Sequence, residues 1–279
     1  MVNDKAACNL NCECCYLPYE GIRSPESASR IIGNMRERYR ISIAGSEILT
    51  DLNYLDVLKA ADQKYILSNG LLPAKEPKIL DTLKDYGIDE LQMSMDYKSQ
   101  KDSGSSMNSI VQAATKAAKD RDFWVRLACI VKPDNFTEVD EMCKQAQEMG
   151  ADAMFFIRYI KSGSARLSDT KTLDSDQRAE FFSLVDETRK KYKKSDFEIR
   201  LNGNFGPKPG SKGEDLAEQN KYCYAGSKIF AIDPSDNVFG CPFMMDATSI
   251  GKLVDESRLA IDCNLCNGDR SKCITDLAY

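Results

Sequence analysis

Three cysteines near the start of the chain have a spacing suited to binding a metal cluster. Cys8, Cys12 and Cys15 are separated by three and then two residues, so one short loop can wrap three thiolates around a cluster. Four-iron clusters usually take four cysteines, so three would leave one iron open to a substrate or cofactor. Two alternatives remain. One uses Cys14 as a ligand, and the other is a zinc site or a group of structural thiols, although zinc sites usually show paired CxxC units.

Composition narrows the classes of function. The 279-residue chain has a net charge of −5 and scattered lysines, which argues against a nucleic-acid partner. We find no signal peptide and no apolar run of membrane-spanning length, so we expect a cytoplasmic protein without a membrane partner. Eleven cysteines in such a protein favour metal binding over disulfides, and Cys129 and Cys143, outside the two cysteine groups, are predicted to be buried thiols. The chain has no histidine, which excludes histidine ligands and histidine acid-base catalysis.

Strand and helix patterns alternate over most of the chain. Strands are predicted at 2–7, 41–44, 65–68, 90–95, 123–131 and 153–159, and helices at 25–39, 51–61, 76–86, 106–119, 137–149 and 175–192. Single helices between strands imply right-handed crossovers and a parallel sheet, with the chemistry at the carboxyl ends of the strands. A further strand is predicted at 197–201, before a linker rich in glycine and proline. We therefore divide the chain into residues 1–202 and 203–279, the second with a hairpin of strands 228–232 and 237–240.

The cysteine spacing, followed by Tyr16 and placed at the opening of this alternation, resembles the radical S-adenosylmethionine (radical SAM) superfamily. The resemblance implies an α/β fold, an open partial (βα)6 TIM-like barrel with a small C-terminal extension. It also implies a 4Fe-4S cluster on Cys8, Cys12 and Cys15 that binds SAM. One electron, from a donor of the flavodoxin or ferredoxin type, would cleave SAM to a 5′-deoxyadenosyl radical.

Several residues at predicted strand ends match the SAM site of that family or could serve it. Gly45-Ser46-Glu47 resembles the Gly-Gly-Glu motif that binds the SAM amino group, with Ser46 in place of the second glycine. Glycine permits close backbone approach, and a carboxylate suits an ammonium group. Polar residues that could bind the SAM ribose and carboxylate, or only cap helices and form turns, are Ser68, Asn69, Ser94 and Asp96. Arg126 or Arg158 could bind the SAM carboxylate, or could pair with an acidic residue.

The C-terminal cysteines, set around the hairpin, resemble the SPASM/twitch extension, which binds auxiliary 4Fe-4S clusters. The five cysteines fit one cluster, the second of the protein, with the ligands Cys223, Cys241, Cys263 and Cys266. Cys273 is a spare thiol or exchanges with Cys266, and a structural zinc knuckle is the alternative. In an epimerase, a spare thiol at Cys273 could donate a hydrogen atom to a substrate radical and would be catalytic.

The resemblance implies a radical SAM oxidoreductase or epimerase that modifies a ribosomally made peptide. A dehydrogenase or epimerase of a sugar or aminocyclitol is the alternative, and a non-catalytic iron–sulfur electron carrier is a remote one. Only seven residues precede Cys8, which mildly favours a small-molecule substrate unless a separate protein recognises the peptide.

Overall fold

A computed structural model describes residues 2–3, 7–17, 21–95, 107–206, 229–245 and 249–261. In its first part, strands and helices alternate along the chain. The strands are β1 (Val2–Asn3), β2 (Ala44–Gly45), β3 (Tyr65–Ser68), β4 (Glu90–Ser94), β5 (Trp124–Val131), β6 (Ala153–Arg158) and β7 (Glu198–Leu201). The helices are α1 (Pro25–Met35), α2 (Tyr54–Ala60), α3 (Leu71–Lys75), α4 (Ile79–Asp85), α5 (Met107–Lys119), α6 (Val139–Glu148) and α7 (Ser175–Tyr192).

Strands β3 to β7 form a parallel five-stranded sheet in sequence order, and β1 pairs in parallel with β2. Along β5, fully buried residues such as Val125 and Leu127 alternate with half-buried ones, because successive side chains point to opposite faces. The helices cover the buried face, and α5 contributes Val111 and Ala114 at helical spacing. The predicted parallel α/β architecture is therefore confirmed.

Local signals set most boundaries. Ser24 caps α1 by accepting a hydrogen bond from the Ser27 backbone, with Pro25 at the first helical position as predicted, but α1 ends at Met35 rather than at residue 39. The helix predicted at 76–86 corresponds to α4 alone, and α3, separated from it by a break at residues 76–78, was not predicted. Pro77 explains the break, because the residue before a proline is disfavoured in helical conformation, and Glu76 has a φ of −129°.

The Gln63 side chain links the two parallel sheets, β1–β2 and β3–β7, through hydrogen bonds. The Gln63 amide accepts a hydrogen bond from the Ile43 backbone N–H (2.7 Å) and donates to the carbonyls of Ile43 (3.0 Å) and Tyr65 (2.9 Å). This side chain therefore replaces ladder hydrogen bonds and keeps the short β2 beside β3.

The C-terminal part contains an antiparallel sheet in the order β11-β10-β9-β8. Its strands are β8 (Ala231–Ile232), β9 (Asn237–Phe239), β10 (Gly251–Val254) and β11 (Arg258–Ile261). The predicted hairpin is β8–β9, and its turn is fixed by the buried Asp233 carboxylate, which accepts hydrogen bonds from the backbone of Ser235 (2.9 Å) and Asn237 (2.8 Å). Strands β10 and β11 were not predicted.

This antiparallel sheet packs on α1. Ile31 and Met35 contact Ile232, Val238 and Leu253 in one buried apolar cluster. The Arg23 guanidinium donates to the Asp233 carbonyl and to the Asp236 carboxylate, both at 2.7 Å. The helix that follows the cysteine loop is therefore also the support of the extension. The linker between the two parts lies largely outside the described residues, so the boundary at 202/203 stays a prediction.

Among the described residues, none of the helices is both long enough and apolar enough to span a bilayer.

Candidate active site

The cysteine loop begins where β1 leads into it, beside β2 and the Gly45-Ser46-Glu47 segment. The Cys15 backbone N–H donates to the Cys12 carbonyl (3.2 Å), which closes a tight turn between these two cysteines. Cys8, Cys14 and Cys15 are half-buried and Cys12 is exposed. The loop thus presents its thiols at an accessible surface rather than in the core.

The segment after β6 contacts the carboxyl-terminal end of the cysteine loop, at Cys15. Its 3-10 helix, Gly163–Leu167, directs the Ala165 N–H at the Cys15 carbonyl (3.1 Å), and the Tyr159 hydroxyl donates to the Ala165 carbonyl (3.0 Å). Gly163 has a φ of +55°, and a Cβ there would lie 2.4 Å from the Leu17 carbonyl oxygen. Only glycine therefore fits at position 163. The sequence alone did not indicate this requirement.

Glu47 lies at the centre of a buried hydrogen-bond network. Its carboxylate accepts hydrogen bonds from the backbone N–H groups of Asn69 (2.6 Å) and Leu49 (3.3 Å) and from the Ser68 hydroxyl (3.3 Å). Burial raises the pKa of Glu47, and these three hydrogen bonds oppose the rise. The Asn69 side chain also donates to the Asn9 side-chain oxygen (2.7 Å). The structure therefore connects Glu47, the end of β3 and the cysteine loop.

A cavity of about 340 Å³ opens beside this network. It is lined by polar and apolar groups from the cysteine loop, the Glu47 segment and α2, among them Cys8, Asn9, Ser46, Glu47, Thr50, Asp51 and Tyr54. The Thr50 hydroxyl lies within hydrogen-bond distance of the carbonyls of Ala7 (2.9 Å) and Glu47 (2.7 Å). Sequence reasoning missed Asn9, Thr50, Asp51 and Tyr54. Of these four residues, only Asn9 had a signal in the sequence, namely its position next to Cys8.

The donors of the loop suit an iron–sulfur cluster. Its four thiols, among them those of Cys8, Cys12 and Cys15, stand on one accessible loop without histidine, and thiolates are the usual ligands of such clusters. The described side chains bring no three histidine, cysteine, aspartate or glutamate residues together around a single metal ion. A four-iron cluster requires a different arrangement, because its thiolates bind different irons.

The other predicted cofactor residues divide into two groups. Arg158 closes β6 and is buried, and its backbone exchanges two hydrogen bonds with the Asn204 side chain (3.2 and 3.0 Å). Ser94 is the exposed last residue of β4. Arg126, in contrast, is the third residue of β5 and lies toward the amino ends of the strands. The structure thus places Arg158 and Ser94 at the carboxyl ends of the sheet, and Arg126 away from them.

Cys241 connects the extension with the cysteine loop. It is half-buried and directly precedes the 3-10 helix Pro242–Met244, and the Phe243 ring packs edge-on against the Tyr16 ring with a centroid distance of 4.8 Å. Burial raises the pKa of Tyr16, and the charges of Cys15 and Cys241 raise it further. Cys241 therefore lies close to the loop. The remaining predicted residues, Asp96, Cys223, Cys263, Cys266 and Cys273, lie outside the described residues.

The two predicted buried thiols are confirmed. Cys129 and Cys143 are fully buried among apolar side chains. Burial, with a smaller contribution from Asp140, raises the pKa of Cys143 to about 12, so this thiol stays protonated and unreactive at neutral pH.

Comparison with solved structures gives several matches. Streptococcus suis SuiB bound to its precursor peptide SuiA has a TM-score of 0.69 and 14% identity, with 92% of this chain and 62% of that chain covered. SuiB bound to S-adenosylmethionine has a TM-score of 0.68 and 13% identity, over 100% of this chain and 65% of that one. Histidine-tagged anSMEcpe with bound AdoMet has a TM-score of 0.62 and 16% identity, over 100% and 81%.

The chain therefore spans less than two thirds of the length of SuiB. No protein-family model matches it, and no curated protein matches it either. At these low sequence identities, the comparison shows similarity of fold only. That fold agrees with the alternation of strands and helices predicted from the sequence. The chain has the α/β partial-barrel fold of the radical SAM enzymes.

Proposed function

We propose that this protein is a radical SAM enzyme that abstracts a hydrogen atom from a peptide. The observation that carries the proposal is the Asn9–Asn69–Glu47 connection, which joins the cysteine loop to a buried carboxylate beside an accessible cavity. The three cysteines Cys8, Cys12 and Cys15 would hold a 4Fe-4S cluster. Such a cluster supplies the electron that cleaves SAM to methionine and the 5′-deoxyadenosyl radical.

The predicted cofactor-binding residues have distinct tasks in this proposal. Glu47, with Gly45 and Ser46, binds the SAM amino group, and its three hydrogen bonds hold the carboxylate in place and oppose the effect of burial on its pKa. Ser68, Asn69, Ser94 and Asp96 bind the ribose or the carboxylate of SAM. Arg158 is the better candidate for the SAM carboxylate, because it ends a strand where Arg126 does not.

The proposed extension holds one auxiliary 4Fe-4S cluster on Cys223, Cys241, Cys263 and Cys266. The position of Cys241 near Tyr16 supports an auxiliary site close to the first cluster. A nearby cluster can accept an electron from a substrate radical, which makes the net reaction a two-electron oxidation. An epimerisation would instead use Cys273 as hydrogen donor. A flavodoxin- or ferredoxin-type protein supplies the first electron.

A peptide is the preferred substrate because SuiB, which has the same fold, is bound to a precursor peptide in one of the matched structures. The sugar or aminocyclitol alternative has no such support among the matched structures described above.

The test is anaerobic reconstitution with iron and sulfide, followed by dithionite and SAM. We expect about eight irons per chain, from two four-iron clusters, and slow release of 5′-deoxyadenosine without any peptide, measured by chromatography. A chain that binds iron but never cleaves SAM would favour the electron carrier and reject the enzyme.

Glu47→Gln should weaken SAM binding. The amide keeps the shape and one acceptor oxygen, but it removes the charge that attracts the SAM ammonium group. We expect a loss of about 1.5–3 kcal/mol, the size of a hydrogen bond to a charged group. By equilibrium dialysis, this is a rise in Kd of about 10- to 150-fold.

Two controls accompany this variant. Glu37→Gln removes a carboxylate at an exposed position and should leave the Kd unchanged. The iron content of Glu47→Gln should equal that of the wild type. Unchanged SAM affinity with intact iron would place the amino-group site elsewhere.

A further inference from the structure

The sheet face opposite the helices carries polar and aromatic side chains at its amino end. Trp124 and Arg126 share this face, because they are two residues apart on β5 and alternate with the fully buried Val125 and Leu127. The strand register adds Glu90 beside Trp124 and Gln92 beside Arg126. All four side chains are half-buried. This face is not part of the cavity beside Glu47.

Arg126 lies close to two aromatic rings. Its guanidinium carbon lies 5.7 Å from the Tyr65 ring centroid and 5.2 Å from that of Phe155. Within the described part of the chain, we find neither a hydrogen bond nor an ion pair on this guanidinium. Burial lowers the pKa of Arg126, whereas the nearby Glu90 raises it, and the group stays cationic.

Arg200 on the same face provides a contrast. Its guanidinium lies 4.7 Å from the Trp124 ring centroid and forms an ion pair with Glu198 at 2.6 Å. The charge of Arg200 is therefore already compensated by a carboxylate. The guanidinium of Arg126 lies over two aromatic rings and near the Glu90 charge, but it forms no ion pair among the described residues.

We propose that Arg126 binds a carboxylate of the peptide substrate, an acidic side chain that lies on this face. A planar guanidinium offers paired N–H donors to a carboxylate, and its partial burial beside two rings strengthens the attraction. This inference rests on the proposed function, since it names the class of peptide on which the enzyme acts.

The position of Arg126 also sets a spacing within the peptide. It precedes Val131, the last residue of β5, by five residues, which corresponds to about 16 Å along the strand. Half-buried Ile130 and Ile157 occupy the face between Arg126 and the strand ends, and they offer apolar contacts to the intervening chain. An extended peptide covers this distance in about five residues. The acidic residue should therefore stand about five positions from the modified one.

The single tryptophan of the chain reports directly on this face, since it is Trp124. The probes are two pools of synthetic octapeptides that are identical except for one position, glutamate in the first pool and glutamine in the second. Iron-loaded protein with SAM is titrated anaerobically with each pool while tryptophan emission is followed. We expect the glutamate pool to bind at least ten-fold more tightly.

Three variants test the role of the side chain. Arg126→Gln should remove the preference for glutamate, and Arg126→Lys, which keeps the charge without the planar fork, should restore only part of it. Arg200→Gln is the matched control and should keep the preference. Equal binding of the two pools, absence of binding by both, or an equal loss in Arg200→Gln would each overturn the inference.

The release of 5′-deoxyadenosine without peptide separates this inference from the proposed function. Suppose that wild type and Arg126→Gln release 5′-deoxyadenosine at the same rate and bind SAM equally. The proposed SAM cleavage is then supported, whether or not the two peptide pools bind differently. A loss of SAM affinity in Arg126→Gln would instead return Arg126 to the SAM carboxylate and overturn the substrate role.

Discussion

Replacing Cys8, Cys12 and Cys15 together by alanine is expected to halve the iron of the reconstituted protein, from about eight to about four atoms per chain. In the proposed function, these thiols hold only the first of two clusters, and the cysteines of the extension hold the other. The release of 5′-deoxyadenosine should fall to background, because the variant would lack the open iron that is proposed to bind SAM. Colorimetric iron analysis and chromatography of the reaction products give the two readings.

Single variants then identify the ligand set of the loop. Cys14→Ala should retain both iron and SAM cleavage, whereas Cys15→Ala should lose the first cluster. The reverse result would establish the set that includes Cys14. A triple variant with undiminished iron would contradict a cluster at this loop altogether.

Much of the barrel could be predicted because its signals are local. The strand at Tyr65–Ser68 and the helix at Ser175–Tyr192 have the predicted bounds, and Asp174 caps that helix through a capping box with Gln177. The strands β10 and β11 escaped prediction for an equally local reason. Their turn uses Asp255 and Glu256, both at a φ of +53°, where glycine or asparagine would have marked it. Glu256 is held there by Arg30 at 2.9 Å from the neighbouring helix, a contact that sequence spacing does not indicate.

The residues of the candidate site also fall into two groups, those with a local signal in the sequence and those without one. Glu47 and the three cysteines could be named as candidates because their spacing along the chain is itself the pattern. Thr50, whose hydroxyl reaches the Ala7 carbonyl, and Gly163 depend on contacts between segments distant in sequence. Such residues carry no local signal, because what makes them necessary is the backbone that folds against them.

Gly163→Ala gives the sharpest test of one such long-range contact. The new Cβ would lie 2.4 Å from the Leu17 carbonyl oxygen and 2.5 Å from that of Tyr16, and the added methyl group must displace backbone rather than a flexible side chain. Both carbonyls belong to residues directly after Cys15, and Ala165, two residues beyond Gly163, donates to the Cys15 carbonyl. The displacement should therefore reach a cluster ligand. We expect the first cluster to lose more than half of its iron and its EPR signal after reduction to change shape.

Gly150→Ala separates this effect from simple backbone strain. Gly150 also has a positive φ, +87°, but nothing lies within 4 Å of the position that its Cβ would take. This control should lose only the conformational cost of a left-handed alanine, about 1–2 kcal/mol of stability, and should keep its iron and its EPR signal. If Gly163→Ala and Gly150→Ala lose the same stability and both keep a full first cluster, then the segment after β6 does not position Cys15. A cluster defect confined to Gly163→Ala, in protein that is as folded as the control by circular dichroism, would mean that this segment sets the geometry of the loop.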